Sequence, residues 1–236
     1  DSKILPASMM ANYESKSEVV ELLNSFKKSK FSIDSIEKKP SKSSSSAPFT
    51  TSSLQQSASN KLGFSVNRTM SVAQKLYESG YITYMRTDST NLSKESMSNM
   101  QKYILETYGK EYSKPTTYAI KSKVAQEAHE GIRPTDIYNV DCGNDDSQRK
   151  LYKLIWERAL SSQMSDAVFD KTIINIIVSD SKDIIFQSKG QVIKFDGYLR
   201  VNQDGNSLSK KDIILPKVQI SDILSNKVIV AREKFS

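Results

Sequence analysis

Apolar residues recur at helical spacing in five stretches of the chain. Val19, Leu22, Leu23 and Phe26 form the first stripe, with Ser15 and Glu18 as a capping box ahead of it. Ser52 and Gln55 repeat that pattern before a second helix, which is predicted to end near Leu62 where Gly63 opens a turn. Thr69, Val72, Ala73, Leu76 and Tyr77 share one face of a third helix that stops at Gly80. Ser93 caps a fourth, with Met97, Met100, Ile104, Leu105 and Tyr108 directed inward and the methionines filling core. A fifth, over about 147–164, buries Leu151, Leu154, Ile155 and Ala159.

Strand patterns lie outside that helical middle. Phe31-Ser32-Ile33-Asp34 alternates, and residues 40–48, rich in serine with proline at each end, read as a flexible linker. After Met164 the predicted strands cover 171–178, 184–187, 192–195, 198–201, 213–220 and 227–231, with turns at Gly190, Gly197 and Asp204-Gly205. The expected class is therefore α+β: a β-rich domain formed by both chain ends, residues 1–48 and 166–236, with a helical domain, 49–165, inserted. Helix, glycine turn, helix, then strand is also the outline of a winged helix.

The 236-residue chain carries a net charge of +7, which suits a polyanionic partner. No acidic residue occurs from Lys38 through Tyr77, a stretch holding Lys38, Lys39, Lys42, Lys61, Arg68 and Lys75. Lys61, Arg68 and Lys75 are the candidate phosphate contacts. The single cysteine, Cys142, leaves neither an internal disulfide nor a cysteine zinc cluster. The apolar runs are too short to span a bilayer and no signal pattern opens the chain, so a soluble, intracellular protein is expected.

The candidate chemistry follows the acid-free stretch. In Gly80-Tyr81-Ile82-Thr83-Tyr84-Met85-Arg86-Thr87-Asp88-Ser89-Thr90-Asn91, a short strand would put Tyr84, Arg86 and Asp88 on one face. A phenol is a nucleophile, a guanidinium fork matches phosphate oxygens, and a carboxylate can orient the guanidinium. Taken alone, an exposed Tyr-x-Arg-x-Asp on a wing strand is equally an ordinary surface.

Residues 81–93 resemble the active-site motif of the type IA DNA topoisomerases. The block Ala125-Gln126-Glu127-Ala128-His129-Glu130-Gly131-Ile132-Arg133-Pro134-Thr135-Asp136 resembles a second signature of that family, with Gly131 where relatives often carry alanine. Residues 48–59 resemble a third. Met85 favours the bacterial topoisomerase I branch over topoisomerase III.

The resemblance implies a β arch domain interrupted by a domain bearing the tyrosine. It also implies that Tyr84 attacks a backbone phosphate of single-stranded DNA and keeps the 5′-phosphoryl end, and that negatively supercoiled DNA is relaxed without ATP. Arg86 and His129 would contact the scissile phosphate, Asp88 would hold Arg86, and Glu130 and Arg133 would be supports. His129 is the one histidine of the chain, hence its one proton carrier near neutral pH. A free tyrosine has a pKa of about 10, so ionising it at pH 7 costs about 4 kcal/mol that the site must offset. The family's metal carboxylates lie in a Toprim domain with an Asp-x-Asp motif that this chain lacks. Mg2+ is therefore expected to act in the full-length enzyme and not to bind this fragment, which is expected to be inactive alone. The implied location is the bacterial cytoplasm, at the nucleoid, with no membrane partner. The competing reading is a non-catalytic winged-helix DNA-binding protein in which Tyr84 is structural.

Overall fold

A computed structural model describes residues 4–118, 130–179, 181–201, 212–226 and 228–232. It contains two compact units, one of residues 1–41, 168–194 and 206–236, the other of 42–167 and 195–205.

The first unit is built on a five-stranded sheet. Its elements are β1 (Ser8–Met9), α1 (Lys16–Ser25), β2 (Phe31–Ser43), β3 (Ala167–Val178), β4 (Ser181–Phe195) and β5 (Ile223–Leu224), with strand order β1-β4-β3-β2-β5. Pairing is antiparallel where β1 meets β4 (Ser8 opposite Gln187) and where β2 meets β5 (Phe31 opposite Leu224). Alternation along β3 buries Ile174, Ile176 and Val178, while Asn175 points the other way. The Asn175 amide donates to Ser35 Oγ at 2.8 Å and accepts from Gln187 Nε2 at 2.9 Å, a polar ladder across three strands. On the apolar face the rings of Phe26, Phe31 and Phe186 meet edge to face, with centroids 5.6–5.8 Å apart. Ser15 caps α1 as expected, its hydroxyl accepting from Glu18 N at 3.2 Å.

Several strand expectations need correction. The serine-rich stretch is not a free linker at its start, because β2 runs through Pro40 to Ser43. β5 pairs with the first residues of β2, and among the described residues it reaches no further along that edge, which tolerates a proline. The predicted strands at 184–187 and 192–195 are one strand, β4, continuous through Gly190. A Cβ at that glycine would lie 2.7 Å from Ile213 O. Residues 213–220 make a single bridge, Ile213 with Gln191. The apolar residues beyond, such as Ile214, Ile220 and Val228, are mostly exposed, so their spacing does not mark a core-facing strand. Residue 227 lies outside the described residues.

The second unit holds α2 (Thr51–Leu62), α3 (Val66–Glu78), α4 (Lys94–Thr107) and α5 (Asp146–Ser161). Leu54, Ala58, Val72, Ala73, Leu76, Met100, Ile104, Leu151, Ile155 and Ala159 form its core. Burying each large aliphatic side chain contributes about 1.5–3 kcal/mol. The α2 capping box is formed by Thr50 and Ser53, slightly ahead of the expected Ser52 and Gln55. Gly63 closes the helix in the left-handed region at φ 66°. Ser93 caps α4 as expected, but Leu105 faces solvent.

Residues 195–201 cluster with this unit. Tyr112 Oη donates to Asp196 Oδ1 at 2.8 Å and Tyr198 Oη lies 3.0 Å from Ser43 Oγ. In place of a strand at 198–201 stands a 3-10 turn, Gly197–Arg200.

Candidate active site

The segment carrying Tyr84 is not a strand. Its one bridge joins Ile82 to Pro134, and side-chain hydroxyls take over the role of a ladder. Thr51, at the start of α2, donates its hydroxyl proton to Met85 O at 2.8 Å and accepts from Thr87 N at 2.9 Å. Thr51 N also donates to Thr87 O at 2.9 Å. Within the segment, Ser89 N donates to Thr87 Oγ1 at 3.0 Å and Asn91 N to Ser89 Oγ at 3.1 Å. These local bonds pin the segment without a partner strand. The alternation survives: Met85, Thr87 and Ser89 are buried, and Tyr84, Arg86 and Asp88 are exposed between them. The phenol, guanidinium and carboxylate thus alternate with buried residues, a pattern that arises here without a sheet.

A second segment lies alongside the first. Thr83 N donates to Arg133 O at 2.9 Å, Arg133 N donates to Thr83 Oγ1 at 3.0 Å, and that hydroxyl donates to Gly131 O at 2.8 Å. Gly131 N donates to Asn91 O at 2.7 Å and Ile132 N to Phe49 O at 2.8 Å. All three sequence blocks therefore meet. A Cβ at Gly131 would stand 3.0 Å from Pro48 Cβ, which suits glycine at this position.

Glu130 and Arg133 are part of this clasp. The Glu130 carboxylate accepts from Ser93 N, the cap of α4, and from Arg133 Nη2 at 2.5 Å. Burial alone raises the Glu130 pKa, but the hydrogen bonds from Arg133 and Ser93 outweigh it and hold the carboxyl below its ordinary range. Arg133 Nη1 donates to Pro134 O at 2.9 Å. Both side chains are committed to holding 130–134 beside Ser93. His129 lies outside the described residues.

Tyr84 is 41% exposed, and its ring meets that of Tyr77 in an edge-to-face contact with centroids 5.2 Å apart. Arg86 and Asp88 are both exposed. Lys61, Arg68 and Lys75 are exposed. The Arg68 guanidinium lies 4.2 Å over the Phe64 ring and donates to Ser147 Oγ at 2.9 Å. At about 100° per residue, Arg68 and Lys75 share one edge of α3 while Tyr77 stands about 180° from Arg68. The basic pair and the Tyr77–Tyr84 pair thus border α3 on opposite edges.

Sequence reasoning missed Thr51, Thr83 and the exposure of Tyr77. Thr51 and Thr83 lie inside the quoted motifs, but a threonine there reads as a cap or a strand residue until its partner segment is known. Among the described residues no group of three His, Cys, Asp or Glu side chains comes together, so they offer no carboxylate cluster to hold magnesium. Among them, too, no helix is long and apolar enough to cross a membrane.

Comparison with known proteins bears on this geometry. A family model described as DNA topoisomerase matches residues 5–236. DNA topoisomerase 1 of Vibrio cholerae is 41% identical over 227 residues, covering 94% of the chain and 25% of that protein. DNA topoisomerase 1 of Rickettsia prowazekii is 38% identical, covering 100% of the chain and 32% of that protein. The solved structure of full-length topoisomerase I from Thermotoga maritima superposes with a TM-score of 0.72 at 29% identity, covering 93% of the chain and 37% of that structure. The chain therefore spans about a quarter to a third of the curated relatives it matches.

Proposed function

We infer strand cleavage from one premise: the chain belongs to the type IA DNA topoisomerase family. In this reading it is the nucleophile-bearing part of an enzyme that relaxes negatively supercoiled DNA by cutting one strand, passing another and resealing. Tyr84 Oη attacks a backbone phosphorus of single-stranded DNA. The P–O3′ bond breaks, the 3′ oxygen leaves with a proton as a free hydroxyl, and the 5′-phosphoryl end stays on the tyrosine. The ester keeps the energy of the phosphodiester, so the 3′ hydroxyl reseals the strand by the reverse step without ATP.

Arg86 presents paired N–H donors to the non-bridging oxygens, whose charge grows in the transition state. His129, matched to the family's second signature, is assigned to contact the phosphate or carry a proton. Glu130 and Arg133 act as supports, and Asp88 as a minor orienting group. Lys61, Arg68 and Lys75 contact phosphates along α2 and α3 rather than at the point of cleavage.

The outline of α2, Gly63 and α3 supports a winged-helix-like unit, with segments 81–91 and 130–134 in the position of wings. Residues 49–165 are its proposed extent, between the two parts of a β arch domain at 1–48 and 166–236. Magnesium, when bound, supplies charge neutralisation at the phosphates; its ligands are assigned to the rest of the protein, and the steps given to this chain use none. The working location is the bacterial cytoplasm at the nucleoid.

The observation that carries this reading is the exposed Tyr84–Arg86 pair, pinned from behind by the Thr51 hydroxyl. The test is relaxation of negatively supercoiled plasmid by the full-length protein with magnesium and no ATP. Relaxation is expected there and not from residues 1–236 alone. An absolute requirement for ATP would contradict the proposal.

A further inference from the structure

Tyr77 occupies a place that core packing does not explain. The buried residues of α3 are Thr69, Val72, Ala73 and Leu76, and the stripe stops there. Tyr77, next along, is 41% exposed, as is Tyr84. Its backbone is nonetheless fixed. Leu76 is fully buried, and Tyr77 O accepts from Gly80 N at 2.8 Å in a helix end closed by Gly80 at φ 74°.

The backbone on either side of Tyr84 is fixed, Thr83 N donating to Arg133 O at 2.9 Å and Met85 O accepting from the Thr51 hydroxyl at 2.8 Å, but the Tyr84 hydroxyl itself makes no hydrogen bond among the described residues. What restrains its ring is Tyr77, at 5.2 Å between centroids and 63° between planes. That geometry is the preferred edge-to-face arrangement of an aromatic pair.

We propose that Tyr77 is a positioning residue for the nucleophile: its ring, anchored on the last turn of α3, selects the Tyr84 rotamer that presents the phenol to a bound phosphate. This rests on the reading of Tyr84 as nucleophile. Only the aromatic ring is required, since the contact is ring to ring and does not use the Tyr77 hydroxyl. A half-exposed tyrosine without that neighbour distributes over the staggered rotamers of its side chain. Aromatic pairs of this kind shift such a population by about 2- to 10-fold. A phenol misplaced by one rotamer cannot reach the phosphorus, so the loss appears in the cleavage step and not in DNA binding.

The test uses the full-length protein and a single-stranded oligonucleotide at saturating concentration. The single-turnover rate of covalent adduct formation is compared with the dissociation constant measured separately. Tyr77→Leu is expected to slow adduct formation by about 2- to 10-fold with affinity within about twofold. Tyr77→Phe, which keeps the ring, is expected to restore the rate. Trp156 fluorescence during urea unfolding checks that the leucine variant is folded, and Tyr77→Met provides a second non-aromatic replacement.

The proposal is overturned if Tyr77→Phe is as slow as Tyr77→Leu, because the hydroxyl would then be the operative group. It is also overturned if the leucine variant cleaves at the normal rate, or loses affinity alone. Tyr84→Phe separates the two layers. If that variant still forms the adduct, the nucleophile reading fails. If it forms none while Tyr77→Leu matches the wild type, only the positioning role fails.

Discussion

Thr51 and Thr87 are joined in both directions: Thr51 N donates to Thr87 O at 2.9 Å, and Thr87 N donates to Thr51 Oγ1 at 2.9 Å. One residue of α2 thereby fixes the backbone on either side of Arg86. Thr51→Val keeps the shape but leaves the amide of buried Thr87 without an acceptor, which costs about 1–3 kcal/mol. Thr51→Ser keeps the hydroxyl and is expected to lose less than about 1 kcal/mol. Urea unfolding followed by Trp156 fluorescence measures both. Trp156 is the only tryptophan and is buried in the same unit, with Nε1 donating to Ile137 O at 2.9 Å.

The clasp of Glu130 predicts a pH dependence. Its carboxyl titrates below the ordinary value of 4.5, so the folded state binds the proton less readily than the unfolded one. The stabilisation is complete above pH 4.5 and is lost as pH falls through the lowered value. Glu130→Gln is therefore expected to be less stable than the wild type at pH 7, with the gap closing below pH 4.5. A gap that stayed constant from pH 7 to pH 3 would remove the carboxylate from the account.

Gly63 isolates a backbone effect. It sits at φ 66° with open space where a Cβ would go. Gly63→Ala is expected to cost about 1–2 kcal/mol from conformation alone, and Gly63→Asn less, because asparagine tolerates the left-handed region. Equal stability of the alanine variant and the wild type would show that α2 closes in another way.

The opposite placement of Arg68–Lys75 and Tyr77–Tyr84 about α3 separates binding from cleavage. Replacing Lys61, Arg68 and Lys75 by alanine in the full-length protein is expected to reduce the salt slope of DNA binding by up to about three phosphate contacts. The cleavage rate of bound DNA is expected to stay within about twofold, since these side chains do not touch the reacting phosphate. A binding slope that does not change would move the DNA path to another face.

Local rules were readable where the chain obeys local physics. Ser15, Ser93 and Gly63 were legible as caps, and Leu151, Leu154, Ile155 and Ala159 as the buried face of α5, because each depends on neighbours within a turn or two. Pro40 misled because composition does not reveal that β5 pairs only with the first residues of β2 among the described residues. Ile214 and Val228 misled because strand-like residues need a neighbouring strand, and among the described residues both stay exposed. At the site, the exposed faces of Tyr84, Arg86 and Asp88 followed from a period of two, but the strand expected to produce it did not form. Thr51 and Thr83 became visible only with the fold, since their partners lie 36 and 50 residues away.

Trapping the covalent intermediate decides whether Tyr84 is the nucleophile. The full-length protein is mixed with labelled single-stranded DNA and magnesium, denatured, and resolved for protein–DNA adducts, with binding measured in parallel. Tyr84→Phe is expected to bind DNA nearly as the wild type does and to form no adduct, and peptide mapping of the wild-type adduct is expected to place the phosphoryl group on Tyr84. An adduct formed by Tyr84→Phe, or one mapped to another residue, would contradict the account.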